Sequence, residues 1–95
     1  MRQYELVLML DPEVSEERLT GVMDRVRRIA GEHQGEVKSE DSWGRKKLAY
    51  KIGRYTEANY HLAHLQMEGD GTVPLETALK LSEDVIRHML VREDE

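Results

Sequence analysis

Apolar residues near the start of the chain recur with a period of two, the spacing of a β-strand. One face of this segment carries Tyr4, Leu6, Leu8 and Leu10. Val7 and Met9 make the opposite face apolar as well. The pattern therefore predicts a central strand that is covered on both sides and ends at Asp11-Pro12.

The next segment has the spacing of an amphipathic helix. Ser15 offers its hydroxyl as an N-cap, and Glu16 and Glu17 stand in the first turn, where the helix dipole favours negative charge. Gly31 and Gly35 supply the stop signals. The helical stripe that we expect to face the core contains Leu19, Val22, Met23, Val26, Ile29 and Ala30.

The central part of the chain predicts an antiparallel hairpin. Residues 35–52 have the pattern of a strand, with a bulge or bend near Trp43-Gly44. Residues 53–59 are predicted to turn the chain, and residues 60–67 to form the second strand.

The last third of the chain predicts a loop, a short helix and a strand. Residues 69–72 have the composition of a polar loop, and Pro74 suits the start of a helix that carries Leu75, Ala78 and Leu79 on one face. Residues 85–91 follow as the final strand.

The element order predicts an α+β fold of the ferredoxin-like split βαβ type (βαββαβ). Two intercalated strand-helix-strand units give a four-stranded antiparallel sheet with two helices on one face. We expect one domain over residues 1–92 and a short acidic tail over residues 93–95. The sheet face without helices must be solvated or held by a partner, so we expect function there.

Composition narrows the class of protein. The chain has 95 residues, 39% hydrophobic and 35% charged, and no cysteine, which excludes disulfides, thiolate metal sites and cysteine nucleophiles. No apolar run approaches the roughly 20 residues of a membrane-spanning helix. The N-terminal residues run into the first strand pattern rather than a signal-peptide core, so we expect a cytoplasmic protein.

The net charge of -5 argues against nucleic-acid binding, but residues 45–54 contain five bases and no acid. Strict alternation predicts that Lys46 shares a face with Leu48, Tyr50 and Ile52. It places on the other face Trp43, Arg45, Lys47, Ala49 and Lys51. Cations beside an indole are typical of RNA binding. A structural interpretation explains the same pattern. The bases would keep an edge strand soluble, and the tryptophan would pack against its neighbours.

The sequence predicts no catalytic residue, metal site or cofactor. His61 and His64 are three apart in a strand and project to opposite faces. His33 and His88 have no carboxylate at ligand spacing. The chain has neither a nucleophile elbow nor a phosphate-binding glycine loop.

Three separated segments carry a family resemblance: residues 43–52 (WGRKKLAYKI), 1–5 (MRQYE) and 84–92 (DVIRHMLVR). Together they resemble the bacterial small-subunit ribosomal protein S6 family over essentially the whole chain. Lys51 departs from the pattern, since family members often carry proline there. The acidic tail is short, so no function of longer family tails is assumed.

The resemblance implies a ribosome-associated structural constituent of the small subunit. It implies a heterodimer with ribosomal protein S18 that binds the central domain of 16S rRNA during platform assembly. The predicted RNA contacts are Arg2, Arg45, Lys46 and Lys47, with Arg87 and Arg92. The predicted partner contacts are Trp43, Tyr60 and Leu62.

Two other functions fit the predicted fold. A small-molecule-binding regulatory module would need a pocket with convergent polar groups, for which the sequence shows no ligand loop. An acylphosphatase-like hydrolase would need an anion-cradling loop with a catalytic arginine and asparagine. Asn59 is the only asparagine, and no such loop precedes the first helix.

Overall fold

The computed structural model describes residues 1–93 and has the predicted element order. The elements are β1 (Arg2–Leu10), α1 (Glu16–Glu32), β2 (Glu36–Ile52), β3 (Tyr55–Met67), α2 (Thr72–Leu81) and β4 (Val85–Arg92). The strands form one sheet in the order β2-β3-β1-β4, and every neighbouring pair is antiparallel. Both helices pack on one face of this sheet, which confirms the ferredoxin-like βαββαβ arrangement.

The core lies between the helices and the sheet. The Oγ of Ser15 accepts a hydrogen bond from the Arg18 backbone N–H at 3.2 Å, which confirms the predicted N-cap. The apolar stripe of α1 packs against the face of β1 that carries Leu6, Leu8 and Leu10, which are fully buried. Burial of each such leucine contributes roughly 2 kcal/mol to folding.

The β2–β3 turn is much shorter than predicted. It consists of Gly53 and Arg54 alone, and β3 already begins at Tyr55, so the prediction of a turn over residues 53–59 was wrong. Gly53 has φ +58°, which a tight hairpin turn needs at its first central position. Glu57 and Asn59 are strand residues: Glu57 pairs with Lys47 of β2, and Asn59 pairs with both Arg45 of β2 and Leu10 of β1.

The second helix also begins earlier than predicted. A 3₁₀ turn at Gly69–Gly71 leads directly into α2, so most of the predicted polar loop is helical turn. Pro74 is the third residue of α2 rather than its first. Proline is tolerated there because the first N–H groups of a helix have no partner within it. Within residues 1–93, no helix combines the length and the apolar character needed to span a membrane.

Three register shifts shape β2, and the first lies between Val37 and Ser39. The pairing with β3 shifts between Ser42 and Gly44, and Gly44 has φ +78°, which confirms the bulge at Trp43-Gly44. A larger shift lies between Lys47 and Ile52, where four residues of β2 stand opposite Thr56 alone. The excess length lets the end of β2 leave the plane of the sheet.

Candidate protein and nucleic-acid interface

The sheet face opposite the helices is rich in apolar side chains; we call it the open face. The register aligns Val7 with Leu62 and Met89, and Met9 with Tyr60. These positions alternate with the helix-facing positions of the same strands. On this face Met89 and Val91 are each 47% exposed. A contiguous exposed apolar patch of this kind is typical of a binding surface.

Trp43 belongs to the open face. Its indole N–H donates a hydrogen bond to the Asp41 carboxylate at 3.1 Å, and the Lys46 Nζ lies 5.5 Å from the ring centroid. The bulge therefore places Trp43 with Lys46, and the predicted grouping with Arg45 was wrong. One extra residue in a strand reverses the alternation on one side of it.

The three residues predicted to contact a partner lie close together on this face. Tyr60 pairs with Gly44, directly beside Trp43, and Leu62 pairs with Asp41. The sheet register thus gathers the three side chains into one surface. Their role as partner contacts stays a prediction.

The end of β2 folds over part of the open face. The Tyr50 hydroxyl accepts a hydrogen bond from the Arg87 guanidinium at 2.7 Å, although β2 and β4 are the two outer strands of the sheet. Met9 and Ala58 are buried beneath this cover, on the side away from the helices. A groove of about 230 Å³ remains, lined by Met9, Leu48, Ala49, Tyr50, Ile52, Tyr60, Arg87 and Met89.

The six predicted RNA contacts fall into two groups at opposite ends of the sheet. The register places Arg45, Lys46, Lys47 and Arg87 near the β2–β3 turn. It places Arg2 and Arg92 at the other end. With a rise of about 3.3 Å per residue, β1 separates the two ends by roughly 26 Å. Any RNA that contacts both groups must extend across the molecule.

Arg45 already has protein partners. Its guanidinium donates to the Pro12 carbonyl at 2.9 Å and to the Glu13 carboxylate at 2.8 Å, and lies 3.7 Å from Glu57. Among residues 1–93, neither Lys46 nor Lys47 has an ion-pair partner, and the Lys46 Nζ lies over the Trp43 ring. Arg87 is exposed and donates to the neutral Tyr50 hydroxyl, so Lys46, Lys47 and Arg87 are the cations of this group that are available for phosphates.

Each of the four histidines contacts a carboxylate. The pairs are His33–Asp70 at 3.1 Å, His61–Glu40 at 2.9 Å, His64–Glu93 at 3.0 Å and His88–Glu76 at 3.3 Å. Sequence spacing did not indicate the partners of His33 and His88, because Asp70 and Glu76 lie 37 and 12 positions away and come from other elements. His61 is buried on the helix side and His64 lies on the open face, as predicted.

Glu40 of the outer strand β2 makes one side-chain contact with α1 and another with β3. Its carboxylate accepts from Arg27 of α1 and contacts the buried His61. Burial raises the pKa of Glu40, but the hydrogen bonds from His61 and Arg27 outweigh this effect and hold the pKa below its usual value. The folded state therefore favours the ionised carboxylate.

Replacing Glu40 with glutamine should lower the free energy of unfolding at pH 7 by about 1 to 2 kcal/mol, because charge-assisted hydrogen bonds are weakened. The ionised carboxylate stabilises the fold above its unfolded-state pKa, and this contribution is lost as the pH falls through the lower folded-state value. Urea unfolding measures the free energy of unfolding of both proteins, and the difference between them should be smaller at about pH 3 than at pH 7. The exposed Glu36→Gln variant is the control and should change little. A difference independent of pH would contradict this prediction.

Comparison with known proteins identifies close similarity over nearly the whole chain. The family model described as ribosomal protein S6 matches residues 3–92. The small ribosomal subunit protein bS6 of Desulforamulus reducens is 36% identical over 95 residues, with 100% of each chain covered. The bS6 protein of Heliobacterium modesticaldum is 38% identical, covering 100% of this chain and 99% of that protein. Both relatives are named as ribosomal proteins.

A solved structure has the same architecture. The crystal structure of 30S ribosomal protein S6 from Thermotoga maritima aligns with a TM-score of 0.84 and 27% identity, covering 97% of this chain and 87% of that one. The C-terminal domain of MgtC from Mycobacterium tuberculosis aligns with a TM-score of 0.66 at 13% identity. At that identity the second likeness concerns the fold alone.

Proposed function

Because the chain belongs to the ribosomal protein S6 family of the small ribosomal subunit, we propose that it binds 16S rRNA as a heterodimer with ribosomal protein S18. In this proposal the pair binds the central domain of the RNA in the cytoplasm, during assembly of the platform. The observation that carries it is the open face, an exposed apolar sheet surface with cations at both ends.

The open face supports a protein partner. Trp43 is 45% exposed, and the apolar side chains around Tyr60 and Leu62 extend across all four strands. Large amphipathic aromatic side chains are enriched at the centres of protein interfaces. Covering this surface would remove apolar area from water, so the partner's contribution is hydrophobic as well as electrostatic.

The distribution of charge supports RNA binding in company with that partner. The chain has a net charge of -5, and Arg45 is held by Glu13, so few cations near the β2–β3 turn are available for phosphates. A basic partner adds cations and a second surface without an additional encounter. Phosphate contacts position the protein, and RNA shape supplies most of the specificity.

The first test compares RNA affinity with and without the partner. The purified chain should bind the central-domain fragment of 16S rRNA about tenfold or more weakly than an equimolar mixture with S18. Filter binding at a fixed salt concentration measures the difference. Another basic protein of similar size in place of S18 should not reproduce the gain. Equal affinity with and without S18 would contradict the proposal.

The second test concerns Lys46 and Lys47. Changing both to glutamine should reduce the slope of log affinity against log salt by about 1 to 2, as expected when one or two phosphate contacts are lost. Arg25 and Arg28 lie exposed on α1, on the helix side, so Arg25→Gln with Arg28→Gln removes the same charge elsewhere. This control should keep the original slope. An unchanged slope in the lysine variant would exclude these residues from phosphate contact.

A further inference from the structure

A histidine and two glutamates converge at the end of the open face that lies away from the β2–β3 turn. Glu5 of β1 pairs directly with His64 of β3, and Glu93 follows β4 on the other side of β1. One ligand atom from each side chain lies within 4.8 Å of the other two. The His64 Nδ1 is 3.0 Å from a carboxylate oxygen of Glu93.

The backbone fixes these three residues relative to one another. Glu5 and His64 occupy opposite positions of one antiparallel ladder, and the Glu93 N–H donates to the Gln3 carbonyl at 2.8 Å. Cross-strand neighbours stand close enough for their side chains to act on one ligand. The cluster is also accessible, because the side chains of His64 and Glu93 are 39% and 35% exposed.

We infer that Glu5, His64 and Glu93 form a binding site for a divalent transition-metal cation of the Zn²⁺ type. One imidazole nitrogen and two carboxylate oxygens are ligands that Zn²⁺ accepts, and a water molecule would complete a tetrahedral set. Ligand bonds of about 2.0 to 2.2 Å place the ligand atoms roughly 3.4 Å apart, so small side-chain rotations close the site. The cation also neutralises two carboxylates that otherwise repel each other.

The ligand set favours Zn²⁺ over the harder cations. Mg²⁺ and Ca²⁺ prefer sites built from oxygen alone and keep more ligands around them. The site would tie the residue after β4 to the middle of the sheet. None of Glu5, His64 and Glu93 is a predicted RNA or partner contact, so the absence of a metal site here would leave the proposed function untouched.

Thermal unfolding of the full chain tests the site, with zinc chloride or a chelator added at about pH 8, where free imidazole is neutral. Zinc at about a hundred times its dissociation constant should raise the Tm by on the order of 10 °C, and magnesium should not. His64→Gln and Glu5→Gln should each abolish most of the shift. His33→Gln removes a histidine that has a single carboxylate partner, Asp70, and should keep the shift.

Three results would overturn the site: no shift with zinc, a shift that survives His64→Gln, or a shift that His33→Gln removes equally. Imidazole NMR signals give a second readout that does not depend on stability. Zinc should move the His64 signals while those of the other three histidines stay in place. Movement of all four signals together would also contradict the assignment.

Discussion

Replacing Gly35 with alanine should lower the free energy of unfolding by about 3 kcal/mol or more, the range reserved for severe core or backbone disruption. A Cβ at this position would lie 1.8 Å from the Gln66 carbonyl oxygen and 2.6 Å from the Met67 Cα. These atoms belong to the backbone of β3, so no side-chain rotation relieves the clash. The strands must separate where β2 begins, which should lower the Tm by on the order of 15 °C.

Gly21 provides the matched control for this variant. It lies within α1, and a Cβ there would meet no atom within 4 Å. Gly21→Ala should therefore stabilise the protein by about 0.5 to 1 kcal/mol, because alanine is the better helix former. Urea unfolding of both variants measures the two effects. Similar stability changes in the two variants would contradict the prediction, because they would show that the β3 backbone does not exclude a side chain at position 35.

Replacing Leu62 with aspartate should weaken S18 binding by about a hundredfold, a loss typical of a central interface residue. Leu62 lies on the open face between Val7 of β1 and Asp41 of β2. A carboxylate there would have to be desolvated on complex formation. Isothermal titration calorimetry with purified S18 measures the change. The folded state should lose only about 1 kcal/mol, mainly through repulsion from the neighbouring Asp41.

Val73 provides the control for the interface prediction. It is 71% exposed in the first turn of α2, on the side of the molecule away from the open face. Val73→Asp introduces the same charge, and the helix dipole favours an acid at that position. Binding of S18 should be unchanged in this variant. Equal losses in the two variants, or none in the Leu62 variant, would exclude the open face as the partner surface.

The elements that could be predicted from the sequence are those set by short-range signals. The alternation around Leu6 and Leu8 indicated that β1 is a strand, and Ser15 marked the start of α1 because its hydroxyl accepts from a donor three residues away. The stripe of α1 was correct for the same reason. Each of these features depends on residues within a few positions of one another.

The features that could not be predicted depend on strand pairing. Gly44 indicated a bulge, but only the register with Tyr60 shows that Trp43 shares a face with Lys46 rather than Arg45. The short turn at Gly53 was missed because polar Glu57 is tolerated in an exposed strand end.

Some features of the candidate site could be predicted from the sequence, and others could not. Tyr60 and Leu62 share a face because they are two residues apart in one strand, which alternation shows directly. The separation of Arg2 from Lys46 follows from strand order, and the contact of Arg45 with Glu13 joins residues 32 positions apart. The carboxylate partners of the histidines are distant for the same reason. The spacing of residues along the sequence does not indicate which distant residues will be in contact.

The neighbours of β1 have a consequence for biosynthesis. The first strand of the chain lies between β3 and the last strand, β4. During translation β1 is made before β4 and lacks one hydrogen-bonding neighbour until β4 has been made. A nascent chain interrupted before β4 would expose the unpaired edge of a largely buried apolar strand, a surface prone to association with other chains. Completion of the sheet therefore depends on the synthesis of β4.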